Sequence, residues 1–377
     1  MVKAASNLFV FFTLVPYISI YPLNADVQPI FLLCALFLIL IALLTRKKII
    51  IDQTDVIFFL IAVISFIYVS MDSEFIFKKR VGLLAAFVVY FTYKNFGEYI
   101  SIKTVYFSLI CLLLGLFLQY ASPGFFNTFA EVFMNRLHFE MEAGRGFTSF
   151  TPEPTFLAAS MSLASFLLKD LSSRQPSYEK KYYVFQLLIL LSILATKSFS
   201  GIIFFVLTAW NLLGYRKTLL VGLVCIAMLL LVDFSDTRFY QLFIKIVSGD
   251  AMFDGSLAHR FSNLYSAWYA LTTQPWGYGG GTFSIIGLEA NQTLAQPVLD
   301  SAASRSVSSF SRLIVEGGFF TVVFFIYMYL LANRSSPVSA KTLSALLLFT
   351  TFPVVFPGIW ILLLINRSHP YQARTSV

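Results

Sequence analysis

Charge is scarce in this sequence. Only 12% of its 377 residues are Asp, Glu, Lys or Arg, roughly half the share of a soluble globular domain, which argues against a soluble fold. Histidine and cysteine number three each. Cys34, Cys111 and Cys225 all fall inside apolar runs, so neither a disulfide framework nor a zinc site at ligand spacing is readable. Dense basic runs are missing too. The net charge of +8 is spread over loops, which speaks against a nucleic-acid partner. The chain has no internal repeat of fixed period and no low-complexity tract. Its first apolar run lacks the small-residue cleavage site of a signal peptide and reads as an anchor.

What fills the space is hydrocarbon. Hydrophobic residues make up 58% of the chain, in stretches of about 17–25 residues that suit the thickness of a bilayer. Lipid offers a bare backbone no partner, so such stretches must be helices. The expectation is an all-α polytopic membrane protein, one integral domain over 1–377, with about 11 or 12 transmembrane helices. Spans are predicted at Asn7–Ile20, Val27–Thr45, Val56–Ser70, Val81–Tyr93, Thr104–Ala121, Pro154–Leu168, Tyr183–Ala195, Gly201–Leu213, Leu219–Val232 and Leu313–Ala332. Pro353 and Pro357 break the last apolar stretch, Leu343–Ile365, into either one kinked span or a short hairpin.

Lysine and arginine set the orientation. Arg46–Lys48, Lys94, Lys103, Lys169, Arg174, Lys180, Lys181, Arg216, Lys217, Arg334 and Lys341 fall on one face if the N-terminus is cytoplasmic. Lys78, Lys79 and Arg80 break the pattern by falling outside. They are either interfacial side chains that snorkel or a cationic site for a lipid-linked phosphate. Two outer loops, 122–153 and 233–312, exceed a connector's length and are expected to carry function.

In the first outer loop, glycines flank Arg145, which leaves room for a bulky anion. Glu153 precedes Pro154, the residue suited to a helix's first position. Glu153 is then either a helix cap that complements the dipole or part of an anion site with Arg145. In the second loop, Leu257, Phe261, Leu264, Trp268 and Leu271 form a three-four stripe. That stripe predicts an amphipathic helix on the membrane surface, stopping before Pro275. His259, Arg260, Asn263 and Ser266 lie off the stripe. The glycine-rich turn Trp276–Phe283 is either an anion-binding nest of N–H groups or simply a turn. Glu316, just inside the next span, is either a polar residue of its outer turn or a functional acid.

Together, GRGFTSFTPEPTFLA, HRFSNLYSAWYALTTQPWGYGGGTF and SRSVSSFSRLIVEGGF resemble, in order and spacing, the O-antigen polymerase (Wzy) and O-antigen ligase superfamily. The resemblance implies a GT-C-like glycosyltransferase of the bacterial inner membrane, with its active face periplasmic and with no metal or cofactor. Its donor and acceptor would be undecaprenyl-pyrophosphate-linked glycans in membrane lipid, with a chain-length regulator protein left open as a further partner. Arg145 and Arg260 match the family's two essential arginines, which hold the departing pyrophosphate, and guanidinium groups suit that task. Ser306–Ser309 stand where the ligase branch usually shows a histidine, which favours polymerase over ligase. Glu153 is the first choice of general base, ahead of His259 and Glu140. His259, Gly277, Gly279, Lys78, Arg80, Arg305 and Glu316 are the candidate substrate-binding residues. The rival outside enzymes is a lipid-linked sugar flippase. A transporter should carry ionisable groups along a path within its spans, whereas here they gather at span ends and in the two loops.

Overall fold

The computed structural model describes residues 1–18, 27–67, 76–134, 146–174, 179–219, 244–245, 247–248, 255–293, 308–350 and 352–365, without the side chains of 66, 76–81, 179–180 and 255–257. Among the described residues every regular element of any length is a helix. In chain order these are α1 Val2–Leu14, α2 Ile30–Leu44, α3 Gln53–Ile67, α4 Ile76–Phe96, α5 Ile102–Ala121, α6 Pro123–Phe133, α7 Pro154–Arg174, α8 Glu179–Ala195, α9 Phe199–Leu213, α10 Gly255–Thr273, α11 Phe283–Gln292, α12 Ser309–Ile326, α13 Val338–Phe349 and α14 Pro357–Leu362. A π-helical segment, Tyr327–Ala332, continues α12. Two helices, Ile102–Ala121 and Ser309–Ala332, are long and apolar enough to cross a membrane by length and composition.

Prolines set several boundaries that periodicity alone misplaces. The expected span Asn7–Ile20 is α1, which stops at Leu14 because Pro16 disfavours helix at the residue before it. The expected span Val27–Thr45 shrinks to Ile30–Leu44, with Pro29 as its N-cap. Gln28 N–H donates to the Pro16 carbonyl at 2.7 Å, which ties the end of α1 to the residues that lead into α2. The stretch Leu343–Ile365 resolves as a hairpin. Ser344 Oγ donates to the Ile359 carbonyl at 2.6 Å and Ser336 Oγ to that of Leu363, so α14 returns antiparallel to α13. The first long loop begins with a helix, α6, which Pro123 starts. All but the first residue of the expected span Leu219–Val232 lies outside the described residues.

The centre of the fold is α7. Every residue from Phe156 to Leu168 is buried, and α1, α5, α8, α9 and α14 all pack against it. Ala158, Ala159, Ser160, Ser162, Ala164 and Ser165 are small enough to let neighbouring helices approach closely. Two of its hydroxyls, those of Ser162 and Ser165, are matched across the packing. Thr208 Oγ1 donates to Ser162 Oγ at 3.0 Å and Ser165 Oγ to Gln186 Oε1 at 2.6 Å. The periphery is the reverse: Phe107, Ile110, Leu114 and Phe117 on α5, and Leu33, Phe37, Leu40 and Leu44 on α2, point outward and are exposed.

At the end of the fold opposite the start of α7, α3, α4 and α12 are tied by polar contacts. Lys94 Nζ bonds both Asp55 and Asp52, the latter at 2.7 Å. Tyr90 donates to Asn333 Oδ1 at 3.2 Å, and the Thr54 and Tyr327 hydroxyls lie 3.3 Å apart.

Candidate functional site

The helix α10 forms as its three-four spacing predicts and ends at Thr273, before Pro275. Its orientation is inverted relative to a soluble amphipathic helix. Phe261, Leu264 and Trp268 face outward, while Ser262, Asn263 and Ser266 are fully buried. The buried face is satisfied by hydrogen bonds, as it must be. Asn263 Nδ2 donates to the His259 carbonyl at 2.8 Å, and its Oδ1 accepts from Ser308 N–H at 3.2 Å. Asn291 Nδ2 donates to Ser262 Oγ at 2.7 Å, which joins α11 to α10. Tyr269 donates to Glu289 Oε1 at 2.8 Å, and that bond holds its phenol above the ordinary tyrosine pKa.

Beyond Pro275 the glycine-rich turn interlocks with a kink in α12. Tyr278 N–H donates to the Val315 carbonyl and Gly279 N–H to that of Glu316, each at 3.0 Å, and Phe319 N–H returns a bond to the Pro275 carbonyl at 2.7 Å. The kink is at Gly318, with φ 56° and ψ −142°, a region open essentially to glycine. A Cβ there would lie 2.2 Å from the Pro275 carbonyl oxygen, and one on Gly277 would lie 2.6 Å from that of Glu316. The two segments approach this closely because neither glycine carries a side chain.

Of the two readings of this segment, the structure therefore favours the packed turn over the anion nest, and Gly277 and Gly279 are corrected as ligand-binding residues. The N–H groups of Gly277, Tyr278 and Gly279 are spent on backbone carbonyls. Gly281 N–H donates to Glu316 Oε1 at 2.9 Å, so the anion this turn holds is the chain's own carboxylate. Glu316 is 8% exposed and also accepts from Arg312 Nε at 3.0 Å. Gly277 and Gly279 act here as packing residues, with no N–H left for a ligand.

Arg260 is half-buried and lines a cavity of about 190 Å³ with Phe204, Leu264, Leu346 and Phe349. Two further lining residues are Ser200, in the first turn of α9, and Ser308, the N-cap of α12. The first turns of two helices, whose N-terminal ends carry the positive end of the dipole, thus line the same cavity as one arginine. On the other side of α12's first turn is a second cavity of about 600 Å³, with Ser309, Arg312 and Glu316 in its wall.

No family model, no curated protein and no solved structure matches this chain.

The remaining expected site residues are distributed as follows. Glu153 is the backbone N-cap of α7, its carbonyl accepting from Phe156 and Leu157 at 3.0 and 3.3 Å. It lines neither cavity. The contact between α7 and the α12 end runs instead through Phe156, whose ring centroid is 4.6 Å from that of Phe352. The Phe352 carbonyl accepts from Ser309 Oγ at 2.7 Å. His259 is half-buried beside Arg260 and is absent from both cavity walls. The side chains of Lys78 and Arg80, and all of Glu140, Arg145 and Arg305, lie outside the described residues.

Gly146, which follows Arg145, is fixed. Phe147 N–H donates to the Ala195 carbonyl at 3.2 Å, and a Cβ on Gly146 would lie 2.3 Å from that oxygen. Gln119 holds the next residues, its Oε1 accepting from Thr148 and Ser149 N–H at 2.9 Å each. The turn that pins Gly146 leads straight into Phe199 and Ser200 of the Arg260 cavity.

Sequence reasoning missed Arg312. The signal was available: Arg312 and Glu316 are four apart, the spacing at which helical side chains meet.

Proposed function

We propose that this chain is a polytopic, GT-C-like glycosyltransferase of the bacterial inner membrane. It joins undecaprenyl-pyrophosphate-linked oligosaccharide repeat units into O-antigen or a similar surface polysaccharide on the periplasmic face. The observation that carries the reading is the Arg260 cavity, whose wall an arginine shares with the first turns of α9 and α12. Such a site suits a diphosphate, since guanidinium pairs bidentately with phosphate oxygens and helix N-termini favour anions. The apolar surface of α2, α5 and α10 supports a lipid environment, because exposed hydrocarbon on that scale needs a cover.

In the reaction, a hydroxyl of the acceptor sugar attacks the anomeric carbon of the donor glycan. The bond from that carbon to the pyrophosphate oxygen breaks, and the leaving group departs as the undecaprenyl pyrophosphate anion. Arg260 and Arg145 stabilise the charge that develops there. The hydroxyl proton passes to a base, with Glu153 the first assignment and His259 and Glu140 behind it. A chain-length regulator protein is compatible with this scheme and is not required by it.

The test is polymerisation of a defined undecaprenyl-pyrophosphate repeat unit by the purified protein, with Arg260→Ala beside the parent. Removing one donor to a developing oxyanion slows catalysis by about 10²–10³-fold, so Arg260→Ala should leave single repeats and no ladder. An unchanged ladder would sink the proposal. Loss of even the single-repeat product in cells would point to a flippase. Full-length chains on the carrier with none on lipid A-core would point to a ligase.

A further inference from the structure

The first long loop opens on α6, and no residue of α6 lines either cavity. Its sequence, PGFFNTFAEVF, has three faces at about 3.6 residues per turn. Phe126 and Ala130 share one and are fully buried. Phe125, Phe129 and Val132 share the next and point outward, Phe125 60% and Val132 63% exposed. Thr128 and Glu131, also exposed, share the third, and Glu131 is the single charge on the helix. A helix on the surface of a water-soluble bundle needs two faces, one apolar and buried, one polar and wet. The additional apolar face needs a cover that the described residues do not supply.

Its place in the chain says what that cover is. The preceding helix, α5, runs through 20 residues, about 30 Å at 1.5 Å per residue, which is the thickness of a bilayer's hydrocarbon. Its outward face carries Phe107, Ile110, Leu114 and Phe117. Exposed Tyr120 follows at its end, an aromatic with a polar tip of the kind that gathers at the membrane–water boundary. Only Ser122 separates α5 from α6, and Pro123 starts the second helix. So α6 begins where a crossing α5 leaves the hydrocarbon. At 11 residues it is about 16 Å long, too short to cross back. A helix at that level, with one apolar side, one polar side and one side against protein, fits the plane of the interface.

The protein side of α6 rests on the segment that precedes α7. The Phe150 ring centroid is 5.5 Å from that of Phe126 and 6.1 Å from that of Phe129. Gly115 of α5 meets the same ring, since a Cβ there would lie 2.7 Å from it. Phe150 is thus held by α5 and α6 together, next to the Thr148 and Ser149 amides that Gln119 fixes.

We propose that α6 lies in the plane of the membrane interface, with Phe125, Phe129 and Val132 in the acyl boundary of a phospholipid bilayer and Thr128 and Glu131 toward water. Phe129 meets both lipid and Phe150, so the bilayer forms one wall of the 146–153 segment. The only charge on α6 is an acid, so the attachment is by hydrocarbon and needs no anionic headgroup. The inference rests on the membrane reading of α5 and is independent of the transferase chemistry.

The experiment is nitroxide scanning of the full chain in phosphatidylcholine liposomes, with the native cysteines replaced by alanine. One label at a time is placed through Phe125→Cys, Thr128→Cys, Glu131→Cys or Val132→Cys. Oxygen, which concentrates in lipid, should relax the labels at 125 and 132 several-fold more than a water-soluble nickel chelate does. The order should reverse at 128 and 131, and adding phosphatidylglycerol should leave the contrast unchanged. Four results would overturn the proposal. The chelate dominating at all four positions would put the helix in water, and oxygen dominating at all four would put it inside the hydrocarbon. Labels at 125 and 132 shielded from both reagents, with spin–spin broadening, would mean that a second copy covers the face. A contrast that needs phosphatidylglycerol would mean attachment by charge. If the cysteine-free chain does not fold, Val132→Trp in the native background reads the same contact. Brominated phosphatidylcholine should quench its added fluorescence and aqueous iodide should not, and the reverse would overturn the proposal. The scan needs no turnover, so the two readings fail separately. The expected contrast without polymerisation removes the transferase and keeps α6 in the interface, and polymerisation without the contrast does the opposite.

Discussion

The junction between the glycine-rich turn and α12 makes a quantitative demand on Gly318. Replacing it by alanine forces a side chain into φ 56°, ψ −142°, which costs about 1–3 kcal/mol for a residue other than glycine. The new Cβ would sit 2.2 Å from the Pro275 carbonyl oxygen and 2.4 Å from Gly277 N. Both are backbone atoms, so neither can swing aside as a side chain would. Relief requires the turn to move away, which breaks the Phe319, Tyr278 and Gly279 backbone bonds at about 0.5–1.5 kcal/mol each. The expected destabilisation is on the order of 4 kcal/mol. Thermal unfolding in detergent, followed by tryptophan fluorescence, should register it as a fall of several degrees. Gly277→Ala strains the same junction, so the double variant should cost less than the sum of the single ones. Gly124→Ala is the control. Its Cβ meets nothing within 4 Å and lies in a helix, so it should be neutral or slightly stabilising. A Gly318→Ala protein that melts with the parent would refute the interlocked geometry and, with it, the orientation of Glu316 and Arg312.

Two further perturbations probe the supports of the site. Gln119→Leu strands the buried N–H groups of Thr148 and Ser149 at about 1–3 kcal/mol each. It should abolish the polymer ladder while circular dichroism keeps most of its helical signal, and a full ladder would show that the 146–153 segment needs no such anchor. Lys94→Met leaves Asp55, only 2% exposed, without its cation. That should cost about 3–5 kcal/mol, read as a lower melting temperature, and a further Asp55→Asn change should recover part of the loss. Recovery failing in the double variant would mean that the lysine acts through packing rather than charge.

Helices were legible because hydrocarbon runs and their punctuation are local. Glu153–Pro154 marks the start of α7, Pro275 marks the limit of α10, and Pro353 with Pro357 marks the break between α13 and α14, though not whether it is a kink or a fold-back. The stripe on α10 was legible as a stripe, but the same three-four spacing describes a face turned inward or outward. Only the burial of Ser262, Asn263 and Ser266 decides which. The pairing of residues 275–281 with 315–319 was not legible. It is a contact between distant segments, and a run of glycines states that the backbone can bend without stating what it bends against. The choice between a nest for an external anion and a simple turn stayed open for that reason, since the carboxylate that takes the Gly281 N–H is 35 residues away. Glu153 misled in the opposite sense. Its position at the head of a helix was read correctly, yet the cavities form around α9 and α12, whose convergence no local pattern reveals.

The distribution of charge bears on catalysis against transport. Among the described residues, Lys94, Asp52 and Asp55 group at one end of the bundle, with Asp170 paired to Arg174 at the final turns of α7. Arg260, Arg312 and Glu316 group at the other. Between them α7 offers its neighbours hydroxyls and methyl groups: Ser162 meets Thr208, and Ser165 meets Gln186. A conduit for an anionic glycolipid needs stepping stones of charge along its length. A catalyst that meets its substrate at one face needs arginines only there, and a rigid, closely packed α7 behind them to keep their positions fixed.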